Sequence, residues 1–393
     1  MEDKKKDDTL ASIAKGTTLS TTTNNTTNSL TYQGNDCSKM QHAAVLETIG
    51  EATRGGTVDI HATALQDLSE AVLHRTLLYV SNANDFRDKG EKIRLPNSIS
   101  AEQAGMLVFA YERIRMVCSD KSINDEKTQG VVTVYASDGE NEGIYVEIGD
   151  GQIETWCNEV AGAVSPSWKN GFLKKLHDMA AISAYRVTEN ADANLVFMKN
   201  CVLDYETKLR FDFDLEWVSL LKSSTVLPEV EPPVPVRTKP DGTTIDFWQL
   251  LYSYVPYKGG PELLIKVAGA ALRAGVNWRT LVTFYNKTRH NGKSTFLDHL
   301  KALVGSQACM TSNLKTLAGA RFGVASIVGK TLITCEDSST GAYIKKIDRL
   351  KNIISNDDIE VERKNENSFT YKPKALVVAA ANDIATTKEK SEA

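Results

Sequence analysis

Residues 281–303 have the sequence LVTFYNKTRHNGKSTFLDHLKAL, and the order of elements within them indicates the fold class. Its first five residues are mostly apolar or β-branched, which predicts a strand. From residue 296 onward the apolar residues recur at helical spacing, which predicts an amphipathic helix. A glycine-lysine-hydroxyl segment lies between the two. That order is the context of a phosphate-binding loop (P-loop), because backbone amides and a helix N-terminus then point at the same anion.

The loop, Asn291-Gly292-Lys293-Ser294-Thr295, predicts a site for ATP and Mg²⁺. We expect Lys293 to reach the β- and γ-phosphates, Ser294 to ligate the metal ion, and Gly292 to let the backbone approach the phosphates. Such a triplet also arises by chance, and the position of the usual first glycine holds a lysine in this chain. The prediction therefore depends on the flanking strand and helix and on three features downstream.

The first downstream feature is the apolar strand Lys330–Cys335, which is followed by Glu336 and Asp337. We expect this strand to lie beside the P-loop strand, with Glu336 toward the metal ion and Asp337 toward the attacking water. The two roles are interchangeable. The alternative is a buried strand that runs into a solvated acidic turn.

The second feature is the apolar strand Ala375–Ala380, followed within two residues by Asn382. An amide at this place can hydrogen-bond both the γ-phosphate and the lytic water, and so sense hydrolysis. Asparagine after a strand is also a common turn former. The sensor role is favoured because Asn382 is the third member of an ordered set.

The third feature is the segment from Ile359 to Lys372, which alternates on both sides of Lys364-Asn365-Glu366-Asn367. This pattern predicts a β-hairpin with Arg363 and Lys364 at a basic tip that contacts DNA phosphates. The alternative is a charged tip that is only solvated.

Beyond residue 276, strands and helices alternate, which predicts an α/β fold with a mainly parallel sheet and flanking helices. We expect this core at 241–393, with helices at Ile245–Tyr254 and Pro261–Ala274 in front of it. The segment 227–240 has four prolines between positions 228 and 235 and predicts a linker.

The sequence before the linker predicts three regions of different structure. Residues 1–36 are polar and predict a disordered tail. Residues 37–130 predict a helical module, with helical spacing at Ala62–Val80 and Ala101–Val117. Residues 131–226 predict an α+β domain, which begins with paired strands at Val131–Tyr135 and Gly143–Ile148 and contains helices between about 157 and 190. We therefore expect a mostly helical α+β N-terminal region before the core.

The composition of the chain is typical of a globular protein. The chain has 393 residues, 41% of them hydrophobic, which suits a globular protein with a core. No apolar run is long enough to span a membrane and the N-terminus lacks a signal peptide, so we expect a cytoplasmic protein without a membrane partner. Six dispersed cysteines form no CxxC pair, and the net charge of −4 requires any DNA-binding surface to be local.

The order of these motifs resembles the superfamily 3 helicases, and most of all the primase-helicases of poxvirus and satellite-phage type. The resemblance covers about residues 140–385. It also draws on the stretch Asn194–Asp204, on Arg321–Lys330, and on Leu350–Ile359. It implies a P-loop NTPase fold of AAA+ type and a Mg²⁺-dependent ATPase that assembles as a homo-hexamer on single-stranded or forked DNA. A phage or mobile-element replication helicase, in the host cytoplasm and in contact with other replication proteins, is therefore expected.

The sequence departs from that family at one place. Members carry an arginine finger beyond the sensor asparagine, and positions 383–393 contain no arginine. We therefore expect either a truncated chain or a finger elsewhere, and weak ATP hydrolysis by this chain alone. Two other hypotheses stay open: a nucleotide-binding assembly or loader protein that does not unwind DNA, and a non-catalytic DNA-binding remnant.

Overall fold

The computed structural model describes residues 37–53, 60–119, 123–124, 130–189, 192–273, 276–287, 291–319, 324–336, 343–344, 347–362, 368–383 and 386–387. The predicted disordered tail at 1–36 lies outside these residues. The chain forms two compact units. The first comprises residues 1–116 and 148–186, and the second residues 117–147 and 187–393. The chain leaves and re-enters each unit, so the division follows different boundaries from those that the sequence predicts at 130, 226 and 240, which stay predictions.

The first unit is built mainly from helices: α1 (Cys37–Thr53), α2 (Leu65–Asn84), α3 (Ala101–Tyr111), α4 (Asp150–Ala161) and α5 (Pro166–Ala180). Its largest fully buried side chains include Met40, Leu107, Trp156, Phe172 and Leu176. Short 3₁₀ turns lie at Ile60–Ala62 and Ser183–Tyr185.

The helical prediction for Ala101–Val117 is wrong in its second half. Helix α3 ends at Tyr111, and the chain continues as strand β1 (Ile114–Cys118). Ser100 starts α3 with a capping box, in which its hydroxyl and the side chain of Gln103 satisfy each other's backbone N–H groups. Beyond Tyr111 a β-strand buries Ile114 and Met116, while Arg115 between them is half-buried. Val117 and Cys118 are buried as well, so the strand is apolar on both faces, and the spacing of its apolar residues also fits a helix.

Strand β1 belongs to a four-stranded sheet of order β3-β2-β1-β4, with β2 (Val131–Tyr135), β3 (Tyr145–Glu147) and β4 (Arg186–Thr188). Strands β2 and β3 pair antiparallel, as the sequence predicts. A three-stranded sheet follows, made of β5 (Leu195–Phe197), β6 (Val202–Asp204) and β7 (Arg210–Phe211).

Residues 228–244 are exposed without exception. The short strand β8 (Val236–Thr238) lies within this segment and pairs with β9 (Thr244–Asp246), which begins at its end. On either side of this segment the chain belongs to the same unit. In front of it, Ser223 and Thr225 donate side-chain hydrogen bonds to the carbonyl oxygen of Leu303, at 2.8 and 2.5 Å.

Helices α6 (Phe247–Tyr254) and α7 (Gly260–Leu272) lead into a four-stranded parallel sheet. Its strands are β10 (Leu281–Tyr285), β11 (Cys309–Ser312), β12 (Leu332–Cys335) and β16 (Leu376–Ala381), in the order β10-β16-β12-β11. Helix α8 (Lys293–Val304) follows β10, and α9 (Leu314–Gly319) follows β11. The unit is thus a mixed α/β structure with parallel and antiparallel sheets.

The parallel sheet is covered on both faces at β16, which explains why this strand is an almost continuous apolar run. Leu376, Val378 and Ala380 pack in one cluster with Leu297 and Leu300 of α8 and with α6 and α7. Val377 and Ala379 face a second cluster on the other side, which includes α9 and the hairpin residues Val361 and Phe369.

The strand order corrects one expectation. The acidic strand β12 does not lie beside the P-loop strand β10, because β16 pairs in parallel with both and separates them. The strand that carries Asn382 is therefore the neighbour of β10. Sequence order alone does not fix such an arrangement, because the long crossover from β12 to β16 can return on either side.

Helix α10 (Asp348–Ser355) leads to the hairpin strands β14 (Ile359–Val361) and β15 (Phe369–Tyr371), which pair antiparallel as predicted. The tip at residues 363–367, with Arg363 and Lys364, lies outside the described residues. Residues 372–375 connect β15 directly to β16. The base of the hairpin is held by hydrogen bonds from Gly329 N to the Tyr371 hydroxyl (3.2 Å) and from Asn356 Nδ2 to Pro373 O (2.7 Å).

A last strand pair joins β13 (Tyr343–Ile344) and β17 (Thr386–Thr387). Among the residues that the structure describes, no helix has both the length and the apolar character that crossing a bilayer requires.

Candidate functional site

The candidate site lies where the strands of the parallel sheet end. Because β10, β16 and β12 run in the same direction, the residues that follow them meet at one edge. These residues are Asn286, Asn382 and Glu336. A hydrogen bond of 3.2 Å from Asn286 N to Ala381 O extends the pairing of the two neighbouring strands up to this edge.

Helix α8 begins at the same edge. Gly292 precedes its first residue with φ 82° and ψ 1°, in the left-handed region that only glycine adopts without strain. A Cβ on this residue would lie 2.3 Å from Cδ1 of Tyr254, so the tyrosine ring covers the glycine. Tyr254 also makes an edge contact with Phe296, and Phe296 makes one with Phe284 of β10. The start of α8 is thus fixed by aromatic packing between α6, α8 and β10.

Lys293, the first residue of α8, points toward the sheet edge. Its Nζ donates hydrogen bonds to Asn382 Oδ1 at 2.8 Å and to the carbonyl oxygen of Asn286 at 3.1 Å. A hydrogen bond from a charged donor stabilises by roughly 1.5–3 kcal/mol, more than a neutral one. One ammonium group therefore joins the residues after β10 and β16.

Glu336 is held by a different lysine. Its Oε1 lies 2.5 Å from Nζ of Lys301, which also contacts Oδ1 of Asp298 at 3.2 Å. Partial burial of Lys301 opposes its charge, but the hydrogen bonds to Glu336 and Asp298 outweigh burial and raise the pKa of Lys301. The carboxylate keeps 49% of its side-chain exposure, so it remains open to solvent and to ligands.

The last residues of strand β12, which precede Glu336, are buried and closely packed. Thr334 is fully buried and shares a hydrogen bond of 3.1 Å with Thr311 of β11. Burial raises the pKa of the next residue, Cys335, to about 12. The end of β12 is therefore closely packed, and Glu336 is the first residue after it to reach solvent.

The structure brings together some of the residues predicted from the sequence. Lys293 and Asn382 are in direct contact. Ser294 and Thr295 are exposed in the first turn of α8, and Asn291 and Gly292 precede it, both half-buried. The contacts described for Glu336 are with Lys301. Asp337, Arg363 and Lys364 lie outside the described residues, and the chemical roles of the whole set stay predictions.

The sequence analysis missed three residues at this edge. Lys301 carries a signal that could have found it, since it follows Lys293 by eight residues and shares its helix face. Asn286 could have been found as the polar residue directly after a strand. Tyr254 gives no such signal, because its contact with Gly292 depends on how α6 packs.

By the chemistry of their side chains, Ser294 and Glu336 would suit a magnesium ion only as part of a nucleotide complex. Ser294 and Glu336 offer oxygen ligands, which Mg²⁺ prefers. Among the described residues no group of three or more histidine, cysteine, aspartate or glutamate side chains could hold a metal ion. A site with one carboxylate and one hydroxyl suits an ion that takes its remaining ligands from phosphates and water.

Comparisons with known proteins add little about activity. Residues 284–392 match the model of a family of unknown function, DUF5906. The match runs from the end of β10 to beyond β16. No curated protein matches the chain.

Three solved structures of the NrS-1 C-terminal region, all in the apo form, are similar to the chain. The first has 14% identity over 68% of this chain and 55% of that one, with a TM-score of 0.40. The other two have 13% identity over 69% and 54%, with a TM-score of 0.36, and 12% identity over 73% and 58%, with a TM-score of 0.37. The chain therefore spans little more than half the length of these structures.

Proposed function

We propose that the chain is the motor part of an ATP-dependent DNA helicase of phage or mobile-element replication. In this proposal, Mg²⁺-dependent ATP hydrolysis drives movement along single-stranded DNA. The observation that carries it is the hydrogen bond between Lys293 and Asn382. It joins the lysine of a phosphate-loop motif to the amide that follows the adjacent parallel strand.

The start of α8 supports phosphate binding. The left-handed backbone at Gly292 leads into the first turn of α8, where the helix dipole favours an anion, so the start of this helix is a surface that suits a phosphate. The Nζ of Lys293 lies beside this surface and would reach the β- and γ-phosphates. Ser294 Oγ and Glu336 would hold the magnesium ion, which when bound neutralises charge on the phosphates.

The hydrolysis step needs a water molecule aligned with the γ-phosphate. Asn382 has an amide that can donate to a phosphate oxygen and accept from water, and its contact with Lys293 keeps it at that position. Asp337 follows Glu336 directly and is the candidate for polarising the water. These assignments give Lys293, Asn382, Glu336 and Asp337 separate tasks in hydrolysis.

DNA binding is assigned to the hairpin of β14 and β15. Its two strands are anchored in the core through Val361, Phe369 and Tyr371, while its tip carries Arg363 and Lys364. Two cations at a hairpin tip suit contact with a phosphate backbone. A homo-hexameric ring would direct six such tips to one strand of DNA, and this assembly is part of the proposal.

The experiment that tests the function compares the full chain with Lys293→Ala. We expect the wild type to bind ATP in the presence of Mg²⁺ and to displace a strand from forked DNA. The variant should lose both and still fold, with a lower Tm because the hydrogen bonds of the Lys293 ammonium are gone. Normal ATP hydrolysis by the variant would contradict the proposal. ATP binding without strand displacement would favour a nucleotide-binding loader protein, and no ATP binding by the wild type would favour the DNA-binding remnant.

A further inference from the structure

A second lysine of α8 holds the carboxylate that follows β12. Lys301 lies eight residues after Lys293, which is two i,i+4 steps, so both lysines occupy one face of the helix about 12 Å apart along its axis. Lys293 contacts Asn382, after β16, and Lys301 contacts Glu336, after β12. The same helix face thus binds the polar residues that follow two different strands.

The direction of the Lys301 side chain explains how it reaches the sheet edge. Side chains of a helix point toward its N-terminus, so the ammonium of Lys301 extends back toward the loop. Asp298, one turn earlier, accepts a hydrogen bond from it at 3.2 Å. The ammonium therefore lies between two carboxylates, of which Asp298 belongs to its own helix and Glu336 to the sheet.

The ion pair between Lys301 and Glu336 is strong enough to orient the carboxylate and weak enough for a metal ion to replace Lys301. Lys301 and Glu336 retain 25% and 49% of their side-chain exposure. An ion pair at this exposure changes an equilibrium constant by a factor of about five at most. A divalent ion that is also bound to phosphates attracts a carboxylate more strongly than one ammonium does. Asp298 would remain as a partner for Lys301 after such an exchange.

We propose that Lys301 is a positioning residue that competes with the divalent metal ion for Glu336. It thereby raises the metal concentration at which the nucleotide site fills. This inference rests on the proposed function, because it requires Glu336 to ligate the metal of a metal–ATP complex. While Lys301 neutralises Glu336, the carboxylate attracts a metal ion poorly by itself, so the ion enters together with the phosphates.

The test measures metal binding directly. The full chain is titrated with Mn²⁺ in the presence of a non-hydrolysable ATP analogue, and free Mn²⁺ is followed by electron paramagnetic resonance. Lys301→Met keeps most of the apolar stem and removes the charge. We expect it to bind Mn²⁺ about two- to fivefold more tightly than the wild type, whereas Lys301→Arg, which keeps the pair, binds like the wild type.

Two controls separate this effect from others. Lys266→Met removes a charge from an exposed position of α7 and should leave the Mn²⁺ affinity unchanged, which excludes a general effect of net charge. Glu336→Gln in the Lys301→Met background should abolish the gain. Thermal unfolding checks each variant, and Lys301→Gln replaces Lys301→Met if the latter unfolds.

The outcomes distinguish the two proposals. Equal Mn²⁺ affinity of wild type and Lys301→Met, or weaker binding by the variant, overturns the role of Lys301. A gain that persists in the double variant overturns it as well, because Glu336 is then not the group for which they compete. If the wild type binds neither the analogue nor Mn²⁺ with it, the proposed function fails instead.

Discussion

The amide oxygen of Asn382 accepts a hydrogen bond of 2.8 Å from Lys293, 89 positions earlier in the chain. The contact exists because β10 and β16 are parallel neighbours that end side by side, so the residues after them lie at the same edge of the sheet. Its consequences for ATP can be measured by changing Asn382 alone.

Replacing Asn382 with alanine should lower mainly kcat, whereas replacing it with aspartate should weaken mainly ATP binding. Asn382→Ala removes the group that aligns the water, and we expect kcat for ATP hydrolysis to fall about 100-fold while ATP affinity changes little. Asn382→Asp places a carboxylate beside the Lys293 ammonium, so that phosphates must compete with an ion pair. We expect about tenfold weaker ATP binding for this variant. Calorimetric titration and steady-state kinetics measure both, and an unchanged kcat in Asn382→Ala would show that the amide has no part in hydrolysis.

Replacing Gly292 with alanine should destabilise the unit and disturb the loop. The backbone at φ 82° strains any other residue, and the new methyl group would overlap the Tyr254 ring. We expect a loss of roughly 1–3 kcal/mol in the free energy of unfolding, together with loss of ATP binding. Urea denaturation measures the first effect.

Gly269 provides a matched control for that substitution. It lies within helix α7, and a Cβ there would meet no atom within 4 Å. Gly269→Ala should therefore stabilise the protein by about 0.5–1 kcal/mol, the usual helical preference for alanine. Equal effects of the two substitutions would mean that the loop backbone at Gly292 differs from the one described.

The thiol of Cys335 should be inert in the folded protein. Burial raises its pKa to about 12, so almost none of the reactive thiolate is present at pH 8. We expect iodoacetamide at pH 8 to leave Cys335 unmodified and to alkylate it readily in urea, as read by mass spectrometry of the peptide that contains it. Rapid modification without denaturant would show that the end of β12 opens, and that Glu336 is less firmly placed than its neighbours indicate.

Cleavage in the proline-rich segment should not separate the chain into independent parts. Arg237 is exposed, but Ser223 and Thr225 before it are bonded to Leu303 at the end of α8. After limited trypsin digestion at Arg237, we expect both fragments to elute together in size-exclusion chromatography. Separate elution would favour the domain boundary predicted for 227–240.

The parts of the fold that the sequence predicts well are those set by local pattern. Strand β10 begins and ends where the apolar run does, and the hairpin strands β14 and β15 lie on either side of the polar tip. The helix after the loop also forms, with Phe296, Leu297 and Leu300 buried as their spacing requires. Each of these elements is determined by residues within a few positions of one another.

The parts that escaped prediction depend on distant partners. Strand β16 takes the place beside β10 through pairing across almost a hundred residues, and nothing in the local sequence specifies which strand it joins. The contact of Lys301 with Glu336 likewise requires the register of α8 on the sheet. The strand after Tyr111 was hidden for a different reason, because its apolar residues continue the helical spacing of the helix before it.

Only four residues, 372–375, connect the hairpin strand β15 to the sheet strand β16. Tyr371 and Pro373 tie this connection to Gly329 and Asn356 on both sides. A pull on the hairpin tip is therefore transmitted along one continuous stretch of backbone to Asn382 and to the ammonium that it holds. Under the proposed function, DNA binding at the hairpin and ATP hydrolysis at the sheet edge would therefore be coupled through this short connection.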